Sequence, residues 1–137
     1  MRYLAIDPGD KRTGLAIGDD QTRIVSPLQV IETSSPDERL RLISRVIADE
    51  QPDAIVVGLP LNMDGSEGEP AKRSRALAQT LSARLGLPAH LMDERLTSAA
   101  ADALLAGQGL TRDQKKARRD ALAAAEILRD FLGREDA

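Results

Sequence analysis

Apolar residues in this chain follow two rhythms, short runs near the start and helical spacing later. The opening third holds three short runs, Tyr3–Ile6, Thr13–Gly18 and Ile24–Ile31. Asp7-Pro8-Gly9 and Gly18-Asp19-Asp20 supply turn formers between them, which predicts three strands in an antiparallel meander. Pro27 cannot donate to a central ladder, so the third run belongs at a sheet edge or a bulge. Ser35-Pro36-Asp37-Glu38 opens a helix with a polar cap, a proline in the first turn and two acids that complement the dipole. Leu40, Ile43, Val46 and Ile47 recur at helical spacing, and Gln51-Pro52 ends that helix.

Asp53-Ala-Ile-Val-Val-Gly58 is apolar without alternation, the mark of a strand buried on both faces. Leu59 to Glu69 is a polar loop. Pro70 begins a second helix, with Leu77, Leu81 and Leu85 expected to face inward and Gly86 to close it. Ala89–Met92 reads as a fifth strand leading into Asp93-Glu94-Arg95. Thr97 or Ser98 would cap a small alanine-rich helix ending near Gly107. Between Gln108 and Lys116 the pattern allows a capping box, Thr111 with Gln114, or a loop. The last helix runs to about Leu132. Strands separated by helices pair in parallel through right-handed crossovers. The expected fold is therefore α/β: a five-stranded mixed sheet, the antiparallel meander of strands one to three followed by parallel strands, with helices on both faces.

Composition narrows what such a fold can do. With 137 residues, residues 1–137 are expected to form one domain. A single Tyr, a single Phe and no Trp make the core aliphatic and leave no aromatic platform for stacking bases. Cysteine is absent, which excludes disulfides, a thiol nucleophile and a zinc-thiolate site. The first apolar run is closed by Asp7 and does not read as a signal peptide, and no stretch matches a membrane span, so a cytoplasmic home without membrane contact is expected. A net charge of −3 means that a nucleic acid would have to be held by a local basic patch.

The acidic residues carry the chemistry. Ligands of α/β sheets bind at the carboxyl ends of parallel strands. Asp7 ends the first strand there, and Asp93 and Glu94 end the fifth. Carboxylate oxygens at such an edge suit a hard divalent cation such as magnesium or manganese, although Asp-Pro-Gly serves equally well as a plain hairpin turn. Asp120 shares a helix face with Ala123, Ala124, Ile127 and Phe131, the side turned to the core. A carboxylate there needs a cation, either a basic side chain or a metal. The favoured arrangement brings Asp120 beside Asp7. Lys11 and Arg12 flank Asp7, and Lys115, Lys116, Arg118 and Arg119 precede Asp120. Cations in the first turns of a helix oppose its dipole, which suggests an anionic partner, against the alternative of a solvated charged face. Asn62 and Ser66 could contact phosphate or simply build a turn. His90 reads as structural.

Four blocks together resemble the YqgF family of Holliday-junction-resolvase-like, pre-16S ribosomal RNA processing nucleases. They are Asp7-Pro-Gly-Asp-Lys-Arg-Thr-Gly-Leu-Ala16, Gly58-Leu-Pro-Leu-Asn-Met-Asp-Gly-Ser66, Asp93-Glu-Arg-Leu-Thr-Ser98, and Asp120 ahead of Ala123-Ala-Ala-Glu-Ile-Leu128. The resemblance implies an RNase H-like fold and Mg²⁺- or Mn²⁺-dependent hydrolysis of phosphodiesters. It assigns the catalytic and metal-holding acids to Asp7, Glu94 and Asp120, with Asp93 a weaker candidate ligand. One departure stands out: the fourth strand ends in Gly58-Leu59-Pro60, where resolvases of the wider superfamily place an acid. The implied partner is structured RNA, precursor ribosomal RNA above all, or branched DNA, and a symmetric junction would call for a homodimer. An actin-like sugar or acetate kinase also opens with Asp-x-Gly, but such enzymes need two of these domains. A non-catalytic RNA-binding or transcription-associated factor of the same fold remains a third class, separable by testing cleavage in Mn²⁺.

Overall fold

The computed structural model describes residues 1–93 and 112–135, with side chains described as far as 93 and from 120 to 134. The expected meander forms from β1 (Arg2–Pro8), β2 (Arg12–Asp19) and β3 (Val25–Glu32). Next come α1 (Pro36–Glu50), β4 (Ala54–Leu59), α2 (Glu69–Leu85), β5 (Ala89–Asp93) and a long helix, α3 (Arg112–Glu135). The strands lie in the order β3-β2-β1-β4-β5. β1 pairs antiparallel with β2 and parallel with β4, and β4 pairs parallel with β5. This is the RNase H-like arrangement.

Local chemistry accounts for the element ends. The Ser35 hydroxyl accepts from the Glu38 amide at 3.2 Å and caps α1, while Gln51 closes the helix in the left-handed region at φ 51°. Pro27 lies in the edge strand, where the register jumps from Leu15↔Gln29 to Ala16↔Pro27. The bulge leaves Leu28 unpaired and packed against the core, so edge and bulge both hold. Every residue of β4 is buried, as its unbroken apolar run required.

Side chains alternate across the sheet and divide the core in two. Leu4, Ile6, Leu15, Ile55 and Val57 face α1 and α2, where Ile43, Ile47 and Leu81 meet them. Tyr3, Ala5, Ala16, Val56 and Met92 face α3, against Ala124, Ile127, Leu128 and Phe131. Each large aliphatic side chain so buried contributes about 1.5–3 kcal/mol. One expectation needs correction. Leu85 does not face inward: it is exposed, because the buried stripe of α2 is Ala71, Ser74, Ala78 and Leu81, with Leu77 packed at its margin. Of the two readings left open before the last helix, Arg112 to Lys116 takes the helical one, as the start of α3. Thr111 and the small helix expected between Thr97 and Gly107 lie outside the described residues.

Candidate active site

The face assignment decides what Asp7 can meet. Asp7 shares its side of β1 with Tyr3 and Ala5, so it belongs to the α3 face, next to last in the strand. Its partner across the antiparallel ladder is Gly14. Residues paired in this way present side chains to the same face about 5 Å apart. Gly14 presents none, and the space is filled by the backbone of α3. A Cβ placed on Gly14 would overlap the carbonyl group of Asp120 and crowd the amide nitrogen of Ala121. Helix and sheet therefore touch backbone to backbone, with Asp120 next to the strand position facing Asp7. Both acids are half-buried.

On the other flank, β1 and β4 run level from Tyr3↔Ala54 to Ile6↔Val57, so the next step sets Gly58 beside Asp7. Gly58 follows Ala54 and Val56 on the α3 face. Asp7 thus stands between two strand positions without side chains, a bare floor on which carboxylates from other elements can converge. Hard oxygen donors gathered over that floor fit a divalent cation. Among the described residues no group of three or more His, Asp or Glu is arranged to hold a metal. The third expected acid, Glu94, lies outside the described residues. Asp93 is described, and the alternation Leu91, Met92, Asp93 turns it to the α1/α2 face, away from Asp7.

The basic and polar candidates divide similarly. Arg12 begins β2, and its Nε donates to Glu32 Oε1 at 3.3 Å, so part of its charge is matched within the fold. Lys11 is exposed in the turn beside it. The helix carries Lys115, Lys116, Arg118 and Arg119 on its first turns, and their side chains lie outside the described set. Asn62 and Ser66 build a closed turn: Asn62 Nδ2 donates to Ser66 Oγ at 2.9 Å, and Ser66 Oγ donates to Asp64 Oδ1 at 2.6 Å. Turn chemistry occupies both side chains. His90 packs at 4.9 Å between ring centroids from Phe131, a structural role.

One contributor had no signal in the sequence. Arg39 donates through one guanidinium nitrogen to the carbonyls of Asp10 at 2.7 Å and Thr33 at 3.3 Å. Arg73 pairs with the Asp10 carboxylate at 2.5 Å. The loop that follows Asp7 is thereby braced from α1 and α2 together. A hairpin pattern shows the loop but not what holds it, since Arg39 lies 29 residues further along the chain from Asp10. Between those helices opens a groove of about 550 Å³, walled by Pro8, Pro36, Leu40, Pro60 and Leu77. Its lining also carries Asp10, Asp37, Arg39 and Arg73, and it sits on the face opposite Asp7 and Asp120.

Comparison with known proteins places this arrangement. The family model described as "RuvX: Holliday junction resolvase" matches residues 1–134. The chain belongs to this family. A relative from Anaeromyxobacter sp. (strain Fw109-5), named "Putative pre-16S rRNA nuclease", is 42% identical over 132 residues, covering 96% of each chain. Another of that name from Thiobacillus denitrificans is 44% identical over 129 residues, covering 94% of this chain and 89% of its own. Among solved structures, Thermus thermophilus RuvC in complex with a Holliday junction superposes with a TM-score of 0.61 at 18% identity, over 100% of this chain and 97% of that one. The fowlpox virus resolvase with its junction DNA gives 0.64 at 10% identity, over 98% and 99%. At those identities the likeness concerns the fold.

Proposed function

We propose that this chain is a divalent-metal-dependent endonuclease that hydrolyses phosphodiester bonds of structured nucleic acid, in 5′-end processing of precursor 16S ribosomal RNA. The observation that carries the reading is the contact of the Asp120 backbone with Gly14, directly across from Asp7. Relatives more than 40% identical over nearly the whole chain bear the nuclease name. Asp7, Glu94 and Asp120 would hold Mg²⁺ or Mn²⁺. Glu94 is preferred to Asp93 because period-two alternation assigns Asp93 to the opposite face. Once bound, the cations supply an activated water and charge neutralisation at the leaving oxygen. The protein's share is to fix carboxylate positions on a rigid sheet edge and to grip the substrate. Lys11, Arg12, Lys115, Lys116, Arg118 and Arg119 would contact phosphates, so affinity should fall steeply with salt. Among the described residues no element resembles a base-reading helix, which favours recognition by shape.

A second reading, resolution of four-way DNA junctions, is favoured by the description of the matching family model. It would bring two active sites together in a homodimer. Among the described residues no helix is long and apolar enough to cross a membrane, and a cytoplasmic setting suits an enzyme of precursor RNA. The deciding experiment is cleavage of matched structured RNA and four-way DNA by purified protein in Mg²⁺ or Mn²⁺, beside Asp7→Asn. RNA cleavage that falls more than about a hundredfold in the variant supports the reading. Wild-type protein that binds RNA without cutting it in Mn²⁺ would establish a non-catalytic binder instead.

A further inference from the structure

Side-chain size along α3 changes in one direction. Next to Asp120 the buried positions are Ala121, Ala123, Ala124 and Ala125; beyond them come Ile127, Leu128, Phe131 and Leu132. A helix resting on small side chains at one end and large ones at the other comes nearest the sheet at its alanine end. At Gly14 the approach is complete, because the atoms in the way of a Cβ are Asp120 and Ala121 backbone, which cannot rotate aside. Gly18 lies four residues along β2 under the same helix and differs in kind. A Cβ there would meet Leu128 Cδ2 and Val25 Cγ2 at 2.9 Å, side-chain ends that can turn away, and the Ile24 carbonyl at 3.2 Å.

We propose that Gly14, together with the alanines that follow Asp120, is a positioning device that sets how near Asp120 stands to Asp7 and thereby the affinity of the pair for a divalent cation. This rests on the metal-dependent reading above. Lifting the helix would carry the Asp120 carboxylate with it, since backbone and side chain move together. Mg²⁺ takes ligands at about 2.0–2.1 Å in near-ideal octahedral geometry, so a displacement on the order of 1 Å cannot be absorbed at the ion. A Cβ at Gly14 therefore acts on the metal site without removing a ligand.

The test measures Mn²⁺ binding by electron paramagnetic resonance of the free ion, with thermal unfolding in the presence and absence of Mn²⁺. The variants are Gly14→Ala, Ala124→Val, Gly18→Ala and Asp7→Asn. Ala124→Val enlarges the fully buried residue one turn beyond Asp120 and lifts the same end of α3 from the helix side, so it decides the matter if Gly14→Ala does not fold. Gly14→Ala and Ala124→Val should raise the Mn²⁺ dissociation constant at least about tenfold and abolish the Mn²⁺-induced rise in Tm. Gly18→Ala should keep wild-type affinity even though its metal-free Tm falls. The proposal is overturned if the folded Gly14→Ala protein (or Ala124→Val, where that is the deciding variant) binds Mn²⁺ within about twofold of wild type, or if Gly18→Ala weakens binding equally. Asp7→Asn separates the two levels. If it binds Mn²⁺ like wild type, the metal reading fails and takes this proposal with it; if it loses binding while Gly14→Ala does not, only the positioning role fails.

Discussion

The two faces of the sheet are built on different terms. Toward α1 and α2 the sheet presents Leu4, Ile6, Leu15, Ile55 and Val57, filled in by Ile43, Ile47 and Leu81. Toward α3 it presents Ala5, Ala16, Ala54 and Gly14 around a helix whose own contact positions begin as alanines. The first face gains stability from side-chain volume. The second gives up volume near Asp120 so that backbone can meet backbone, and recovers it further along at Leu128, Phe131 and Tyr3, whose ring lies 5.3 Å from that of Phe131. Precision at the carboxylates and bulk in the core are thus assigned to different sides of one strand, β1, whose alternate residues serve both.

The sharpest way to break this comparison is a pair of conservative substitutions. Asp120→Asn, on the α3 side, should lower metal-dependent cleavage more than about a hundredfold. Asp93→Asn, whose strand position faces the other helices, should stay within a few-fold of wild type. Equal losses, read as initial rates on one RNA substrate at saturating Mn²⁺, would mean that the face assignment does not govern the site. Next in size is Ile43→Ala on the volume side. Ile43 is fully buried, and its truncation should cost about 2–5 kcal/mol and lower Tm on the order of 10 °C. The remaining folded protein should bind Mn²⁺ with unchanged affinity, because Asp7 and Asp120 belong to the other face.

Much of this plan was legible in the sequence, and the reasons differ by element. The unbroken run of β4 and the helical spacing of Leu40, Ile43, Val46 and Ile47 announce burial through period alone. Asp7 and Asp120 stand out as candidates because one closes an apolar run and the other interrupts an apolar helix face. Their adjacency was an expectation that sequence could not prove, since it depends on α3 crossing β2 at Gly14, a contact between residues 106 positions apart. Gly14 could be seen as part of a motif but not as the point of contact. Leu85 misled because its spacing from Leu81 fits a helical stripe, whereas α2 buries alanine and serine instead. The face that Asp93 takes follows from the register of β5, which the sequence alone does not fix. Arg39 was invisible for another reason: its partners are backbone carbonyls, which leave no side-chain signature.

A smaller effect tests the frame that carries the volume side. Ser35→Ala removes the hydroxyl that accepts from the Glu38 amide and should cost about 1 kcal/mol, lowering Tm by a few degrees. Mn²⁺ affinity should not follow. A matching loss of affinity would show that α1 governs the metal site as well, through the Arg39 brace on the loop behind Asp7.

The smallest effect lies on α3 itself, on the side away from the sheet. Desolvation raises the Asp130 carboxyl above its ordinary value, and the like charge of Glu126 one turn earlier adds to this, while Arg134 opposes it. The sign follows from proton binding. A carboxyl whose pKa is higher in the folded protein holds its proton more tightly there, so stability is lost as pH rises through the carboxylate range. Asp130→Asn removes that loss. The variant should melt about 1 °C above wild type at neutral pH, a gain kept small by solvent screening, and should match wild type in acid below the ordinary carboxylate pKa. Ten residues along the helix from Asp120, about 15 Å, the change should leave Mn²⁺ binding untouched. A Tm difference equal at both pH values would assign the effect to helix propensity, and a shift in Mn²⁺ affinity would mean that α3 transmits charge along its length and that its two ends are not independent.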